Sequence, residues 1–223
     1  VIILSEYGIT EVRNVIYPNR VFREKGWLSI KDELGLDYLD CGGSRAFAIT
    51  DHQVAHIYLQ DESPRFRKDV RSCLENIEGV EKVLEGDARK EGGLHHHRAG
   101  DFVVFSAEDS WFAYYHWLDD SLAPDFARCI DVHRKYGYDP AELFVDPNIS
   151  FPTLKVAQKL VGKKLGFRTN MDLIPLDANL VKGSHGTRPN DPSDCPVIMG
   201  HGIKPSEKML PSTEVMGYLL NLF

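Results

Sequence analysis

The chain opens on Val1-Ile2-Ile3-Leu4, a run of apolar, mostly β-branched residues, and passes straight into Ser5-Glu6-Tyr7-Gly8. A short continuous apolar run of this kind fits a strand buried on both faces of a parallel sheet. Functional groups in such sheets collect just past the carboxyl ends of the strands, so Glu6 is expected at a strand tip. No initiator Met and no leader-like segment precedes the run. A buried central strand seldom begins a protein. The expectation is therefore the C-terminal part of a longer chain, with part of its active site, and its nearest partner, in the preceding residues.

With 223 residues the chain can form one large or two smaller domains. Hydrophobic residues at 43% and charged residues at 26% place it among ordinary globular proteins. No stretch reaches the roughly 18–20 apolar residues of a membrane span. Twenty-six basic against 33 acidic residues give a formal net charge of −7. That balance argues against nucleic acid as a partner, because no global positive field draws in a phosphate backbone, but it leaves room for a small phosphorylated substrate. Cys41, Cys73, Cys129 and Cys195 are widely spaced and form no CxxC pair. Neither a zinc ribbon nor a disulfide framework is expected, and a reducing, cytoplasmic setting follows.

Pro18 to Lys25 reads as a helix stopped by Gly26, and Trp27 to Ile30 as a short buried strand. Arg45–Thr50 and Gln53–Leu59 flank Asp51-His52 as a hairpin. Ser63-Pro64 opens a helix to about Ile77, with Phe66, Val70, Cys73, Leu74 and Ile77 at helical spacing. Val80–Glu85 and Asp101–Ala107 read as strands. The order β-β-α-β-β predicts an α+β subdomain with helices on one face of an antiparallel sheet. Residues 108–149 hold Trp111, Phe112, Tyr114, Tyr115, Trp117, Phe126, Tyr136, Tyr138 and Phe144, broken by Pro124, Pro140 and Pro147, and read as an irregular, well-packed connection. Leu154–Leu165 is a basic amphipathic helix with solvated lysines. Pro196–Met199 is a strand, and Thr213–Leu222 a closing helix with Val215, Met216, Leu219, Leu220 and Leu222 as its buried stripe.

Two residues stand out chemically. Glu6 and His185 each sit in a short Gly-bounded turn, and a carboxylate and an imidazole at one sheet edge are natural ligands of a divalent ion. A capping or hydrogen-bonding role is the alternative for either. His95-His96-His97 cannot all face one ion in extended backbone and is read as an exposed loop. His201 is read as a turn residue.

The order of motifs resembles the C-terminal half of the type I phosphodiesterase/nucleotide pyrophosphatase family, in the alkaline phosphatase superfamily. Leu4-Ser5-Glu6-Tyr7-Gly8-Ile9 stands where that family has an apolar strand and a Ser/Thr-Asp-His-Gly turn. Gly183-Ser184-His185-Gly186 stands at its Gly-x-His-Gly turn, and Cys195-Pro196-Val197-Ile198-Met199 at its Pro-led strand. His97-Arg98-Ala99-Gly100-Asp101, Trp111-Phe112-Ala113-Tyr114-Tyr115 and Asp131-Val132-His133-Arg134-Lys135-Tyr136-Gly137-Tyr138-Asp139 are similar to its cap. The resemblance implies an α/β fold. It would be part of an alkaline-phosphatase-like, mostly parallel sheet with flanking helices, formed by 1–34 and 150–223. An inserted α+β cap and the aromatic-rich connection would occupy 35–149.

The resemblance further implies hydrolysis of phosphodiester or nucleotide pyrophosphate bonds through a covalent phospho-enzyme, on a nucleophile upstream of Val1. Divalent ions would assist, zinc first and manganese or magnesium as alternatives, with His185 and Glu6 as ligands and a nucleotide as one substrate. Where the family has Asp-His this chain has Glu6-Tyr7. Glutamate keeps a hard oxygen ligand; Tyr7 puts a phenol in place of an imidazole, so it is only a reserve ligand. His133, Arg134 and Lys135 form a second rank of catalytic candidates, since cations there would stabilise phosphoryl oxygens. The alternative is that Arg134 and Lys135 tie the cap to the core, with His133 packed under Tyr136. Two rival functions stay open: a non-catalytic binding module with a degenerate metal centre, and a phosphotransferase or phosphomutase of the same superfamily.

Overall fold

The computed structural model describes residues 1–201 and 209–222, and of Glu91 the backbone alone. Its elements run β1 (Ile2–Leu4), β2 (Thr10–Glu11), β3 (Asn14–Ile16), α1 (Pro18–Glu24), β4 (Ser29–Glu33), β5 (Leu36–Asp40), β6 (Ala46–Asp51), β7 (Val54–Leu59), α2 (Pro64–Glu75) and β8 (Val80–Glu85). They continue with α3 (Ala88–Glu91), β9 (Phe102–Ser106), β10 (Ser110–Phe112), α4 (Pro152–Lys164), β11 (Gly183–Ser184), β12 (Ile198–Gly200) and α5 (Val215–Leu220). The chain is thus a mixed α/β protein. It divides into two compact units, one of Val1–Gly8 with Pro196–Phe223, the other of Ile9–Cys195.

The centre of the larger unit is a four-stranded antiparallel sheet in the order β6-β7-β9-β8. Its period-two pattern is plain in β7: Ala55, Ile57 and Leu59 are buried, and Val54, His56 and Tyr58 between them are half-buried. Helix α2 begins at Pro64, where the missing N–H costs nothing. It buries Phe66, Val70 and Leu74, spaced four apart on one face. These residues and Phe22 of α1 share one core with Ala46, Ala48, Ala55, Ile57, Leu59, Phe102 and Val104. Burying each large side chain stabilises by about 1.5–3 kcal/mol. The hairpin, the helix and the two later strands all form where the sequence periods place them.

A second core gathers the aromatic segment: Trp111, Tyr114, Tyr115, Trp117 and Phe126 pack with Val12, Leu176 and Val181. Phe112 points the other way, into the first core. Strand β10 carries this alternation and pairs in parallel with β3. Asn19, fully buried in α1, ties the two cores together. Its amide donates to the carbonyls of Ala48 (2.9 Å) and Tyr114 (3.2 Å), and its Oδ1 accepts from Ala48 N (2.7 Å). Edge strand β6 is thereby satisfied at Ala48 on its open side.

Several expectations need correction. Strand β1 is not a doubly buried parallel strand. It pairs antiparallel with β12, and Ile3 and Leu4 are 60% and 48% exposed, because a two-stranded ribbon has a single neighbour and covers little of either face. The apolar stripe of α5 is likewise not buried: Met216 and Leu220 are 73% and 66% exposed. Trp27 lies outside the strand predicted for 27–30. Its ring packs edge-on to Phe66 (5.2 Å, 83°), and Ser29–Glu33 instead forms a hairpin with β5. On α4, Lys155 and Lys159 are not simply solvated; both close on the Asp172 carboxylate, at 3.0 and 2.6 Å.

Two outcomes follow. Asn19→Ala removes three buried hydrogen bonds and strips Ala48 N–H of its acceptor, a cost of about 3 kcal/mol. Differential scanning calorimetry should show a Tm lower by roughly 10 °C; an unchanged Tm would show these bonds to be dispensable. His116 is fully buried, and its Nε2 donates to the Asp37 carbonyl (2.9 Å). Burial pushes its pKa down to about 4. Between an unfolded value of about 6.5 and that folded value, only the unfolded chain takes up the proton. Stability therefore falls as pH drops through this window and is recovered above it. His116→Gln, which keeps a donor without a titrating ring, should flatten urea midpoints between pH 7 and 5; an identical pH profile in both proteins would refute this.

Candidate active site

His185 follows β11, which pairs antiparallel with β2: Ser184 lies opposite Thr10 and Gly183 opposite Glu11. Thr10 Oγ1 donates to Ser184 O (3.4 Å) and fixes the approach to the turn. The turn itself is held from the side by the β6–β7 hairpin. Only His52 and Gln53 lie between the paired residues Asp51 and Val54. Gln53 is fully buried. Its backbone N–H donates to the His185 carbonyl (3.0 Å), its Oε1 accepts from Thr187 N (3.2 Å), and its Nε2 donates to Glu108 O (2.8 Å) and Ser110 O (3.3 Å). Gly186 stands at φ +124°, and a Cβ there would press on Val54 Cγ2 (3.2 Å) and Gln53 Cβ (3.4 Å). Glycine is needed for both reasons. Farther on, the Glu108 carboxylate accepts from Asn190 N (2.9 Å) and Nδ2 (2.8 Å).

His52 carries the side chains of the site together. Its ring lies 4.0 Å from the His185 ring, tilted by 34°, and 4.6 Å from the Tyr138 ring, stacked within 19°. Its Nδ1 donates to Asp51 Oδ1 at 2.6 Å. That bond, more than the nearby imidazoles of His52, His185 and His56, holds the Asp51 carboxyl below its ordinary range. His52 itself adopts φ +53°, a left-handed backbone that costs a non-glycine residue roughly 1–2 kcal/mol. Tyr138 reaches the ring because its N–H donates to Thr50 O (2.9 Å) at the end of β6. The preceding Gly137, at φ +138°, lies so close to Thr50 that a Cβ would collide with its carbonyl oxygen.

The other candidates are placed as follows. Glu6 and Tyr7 belong to the smaller unit, after β1, where Ser5 N donates to Val197 O (3.0 Å) and Val197 N donates back to Ser5 Oγ (2.9 Å). Both side chains are exposed. His133 is exposed, not packed under Tyr136. Arg134 binds Asp125 (2.8 Å), with its guanidinium over the Phe126 ring. Lys135 is wholly buried; its Nζ meets Asp139 Oδ2 (2.9 Å) and Glu142 Oε1 (2.7 Å), so its charge faces carboxylates rather than solvent. His95, His96 and His97 lie in an exposed loop, and His201 occupies a turn. Sequence reasoning missed Asp51, His52, Gln53 and Tyr138. The one available signal was the juxtaposition of Asp51-His52 with a hairpin tip.

Among the described residues, no three His, Cys, Asp or Glu groups converge into a set able to hold a metal ion. No described helix is long and apolar enough to cross a membrane.

The model of the family described as type I phosphodiesterase/nucleotide pyrophosphatase matches residues 1–139. A search of curated proteins gives no match. Among solved structures, phosphonoacetate hydrolase from Sinorhizobium meliloti 1021 in complex with phosphonoacetate is similar at 20% identity and a TM-score of 0.39, over 54% of this chain and 31% of that one. The same enzyme with phosphonoformate gives 22% identity and a TM-score of 0.38, over 55% and 30%. The matches span about a third of those chains. With the family model covering well over half of its residues, this chain belongs to the type I phosphodiesterase/nucleotide pyrophosphatase family.

Proposed function

We propose that the chain contributes to hydrolysis of phosphoester bonds, specifically phosphodiester or nucleotide pyrophosphate bonds. The observation that carries this reading is the family match over residues 1–139. The rigid mounting of His185, the residue of the Gly-x-His-Gly turn, supports it. A residue whose backbone is held by a buried clamp presents its side chain from a fixed point, which lessens the reorganisation needed when charge develops at a phosphoryl group. The reaction is two displacements at phosphorus. A nucleophile first expels the leaving alcohol or phosphate; water then breaks the covalent phospho-enzyme. In this reading 1–34 and 150–223 belong to the catalytic core, and 35–149 selects the substrate.

Glu6 and His185, with Tyr7 in reserve, are the proposed donors toward divalent ions, zinc in the first place. The rival reading is a non-catalytic binding module with a degenerate metal centre.

The test measures turnover of bis(p-nitrophenyl) phosphate together with metal content, in the protein at its natural length. Hydrolysis with bound metal supports the enzyme; neither hydrolysis nor metal supports the module. His185→Ala leaves the backbone bonds of the turn in place, so it should fold normally and lose at least about a hundredfold in kcat/KM. Undiminished kcat/KM in His185→Ala would remove His185 from the site.

A further inference from the structure

The hairpin tip spends something on His52 that folding does not require. Among the described non-glycine residues only Leu34 and His52 have positive φ. Leu34 is fully exposed and occupies one of two positive-φ positions, with Gly35, in the β4–β5 loop. His52 is different. It is the first of the two loop residues between β6 and β7, and Gln53 after it has no positive φ. Glycine is the usual occupant of that position in a two-residue hairpin. All the main-chain bonds of the tip would survive with glycine there. Phe112 N donates to the His52 carbonyl (2.7 Å), and Gln53 N donates to the His185 carbonyl (3.0 Å). What glycine would lose is the ring alone. That ring is 18% exposed. It is oriented by Asp51 on its Nδ1, backed by Tyr138 on one side, and set against the His185 imidazole at 4.0 Å.

We infer that His52 is a positioning residue for His185: its ring, fixed by Asp51 and Tyr138, forms the wall that sets the orientation of the His185 side chain. The inference rests on the reading that His185 works in phosphoester hydrolysis. The clamp of Gln53 fixes where the His185 backbone lies, and the His52 ring, 4.0 Å away, bears on the imidazole itself. An observed backbone outlier that packs against a candidate functional side chain, while the other such outlier packs against solvent, is the pattern of strain retained for a site.

The experiment uses the full chain at its natural length and three variants. His52→Gly removes ring and strain together, His52→Asn tolerates the left-handed backbone but has no ring, and His52→Phe restores a planar ring. His185→Ala is measured beside them. For His52→Gly and His52→Asn the expected result is an unchanged or higher Tm, kcat on bis(p-nitrophenyl) phosphate lower by about 10–100-fold, as for other residues that orient a working ligand, and KM within about twofold. The His185 ring resonances in NMR should broaden or multiply. His52→Phe should recover most of the lost kcat. If His185→Ala is inactive while His52→Gly keeps full kcat and a single sharp His185 signal, the positioning role is overturned and the hydrolase reading stands. If His185→Ala is itself fully active, the reading of His185 fails, and the inference with it. A fall in kcat that tracks a fall in Tm, without rescue by phenylalanine, would reduce His52 to a packing residue and also overturn the inference.

Discussion

The buried amide of Gln53 is the interaction on which the site depends. Its backbone N–H, backbone carbonyl, Oε1 and Nε2 reach His185, Ser106, Thr187, and Glu108 with Ser110. Two stretches of chain, 106–110 and 185–187, are thus held through one residue, by its backbone and its side chain together, with no exposure to water. Inside a protein each unmet donor or acceptor costs about 1–3 kcal/mol, so the stretches cannot separate one at a time. The strands of the sheet fix the place of Gln53, and Gln53 fixes the place of the turn that carries His185. Secondary structure is converted into site geometry at this residue.

The parts of the fold that were legible are those whose signal is local. The alternation through Val54–Leu59 and the four-residue spacing of Phe66, Val70 and Leu74 report a sheet face and a helix face directly. His185 stood out as a candidate because Gly183 and Gly186 frame it. Gln53 did not. A glutamine at the start of a strand is unremarkable, and its bond to Thr187 spans 134 residues, a separation with no trace in either neighbourhood. The hairpin at Leu34-Gly35 was missed for a related reason: leucine, rather than asparagine or aspartate, fills the first left-handed position. Strand β1 was misjudged because an apolar run records the strand but not its neighbours. An antiparallel ribbon and a parallel core strand can be written with the same four residues.

The polar run from Asp131 to Asp139 looked chemical because it stands beside aromatic residues. In the structure its charges neutralise one another. Lys135, Asp139 and Glu142 have side-chain exposures of 0%, 1% and 7%, with two carboxylates sharing one ammonium. Desolvation raises the Asp139 carboxyl against the attraction of Lys135. Such a cluster gains little stability relative to an apolar one, but removing one member strands the others. Its consequence here is conformational: it anchors the segment that presents Gly137 and Tyr138 to β6. A charged cluster can thus support a site without belonging to it.

Gly137, Gly186 and His52 all have positive φ and all meet around one hairpin tip. Gly137 lets its chain lie directly on Thr50, and Gly186 lets its turn lie on Gln53 and Val54. Close backbone contact on both flanks leaves little room for side chains, and the sequence concentrates those it admits: Tyr138, His52 and His185, stacked in that order. Two glycines remove bulk where main chains must touch, whereas the one strained histidine supplies bulk where a ring must be held. The backbone geometry therefore determines where chemistry can occur in this unit. His185, the residue of the proposed site, lies at one end of this series of rings, so the mechanical and functional readings concern the same side chain.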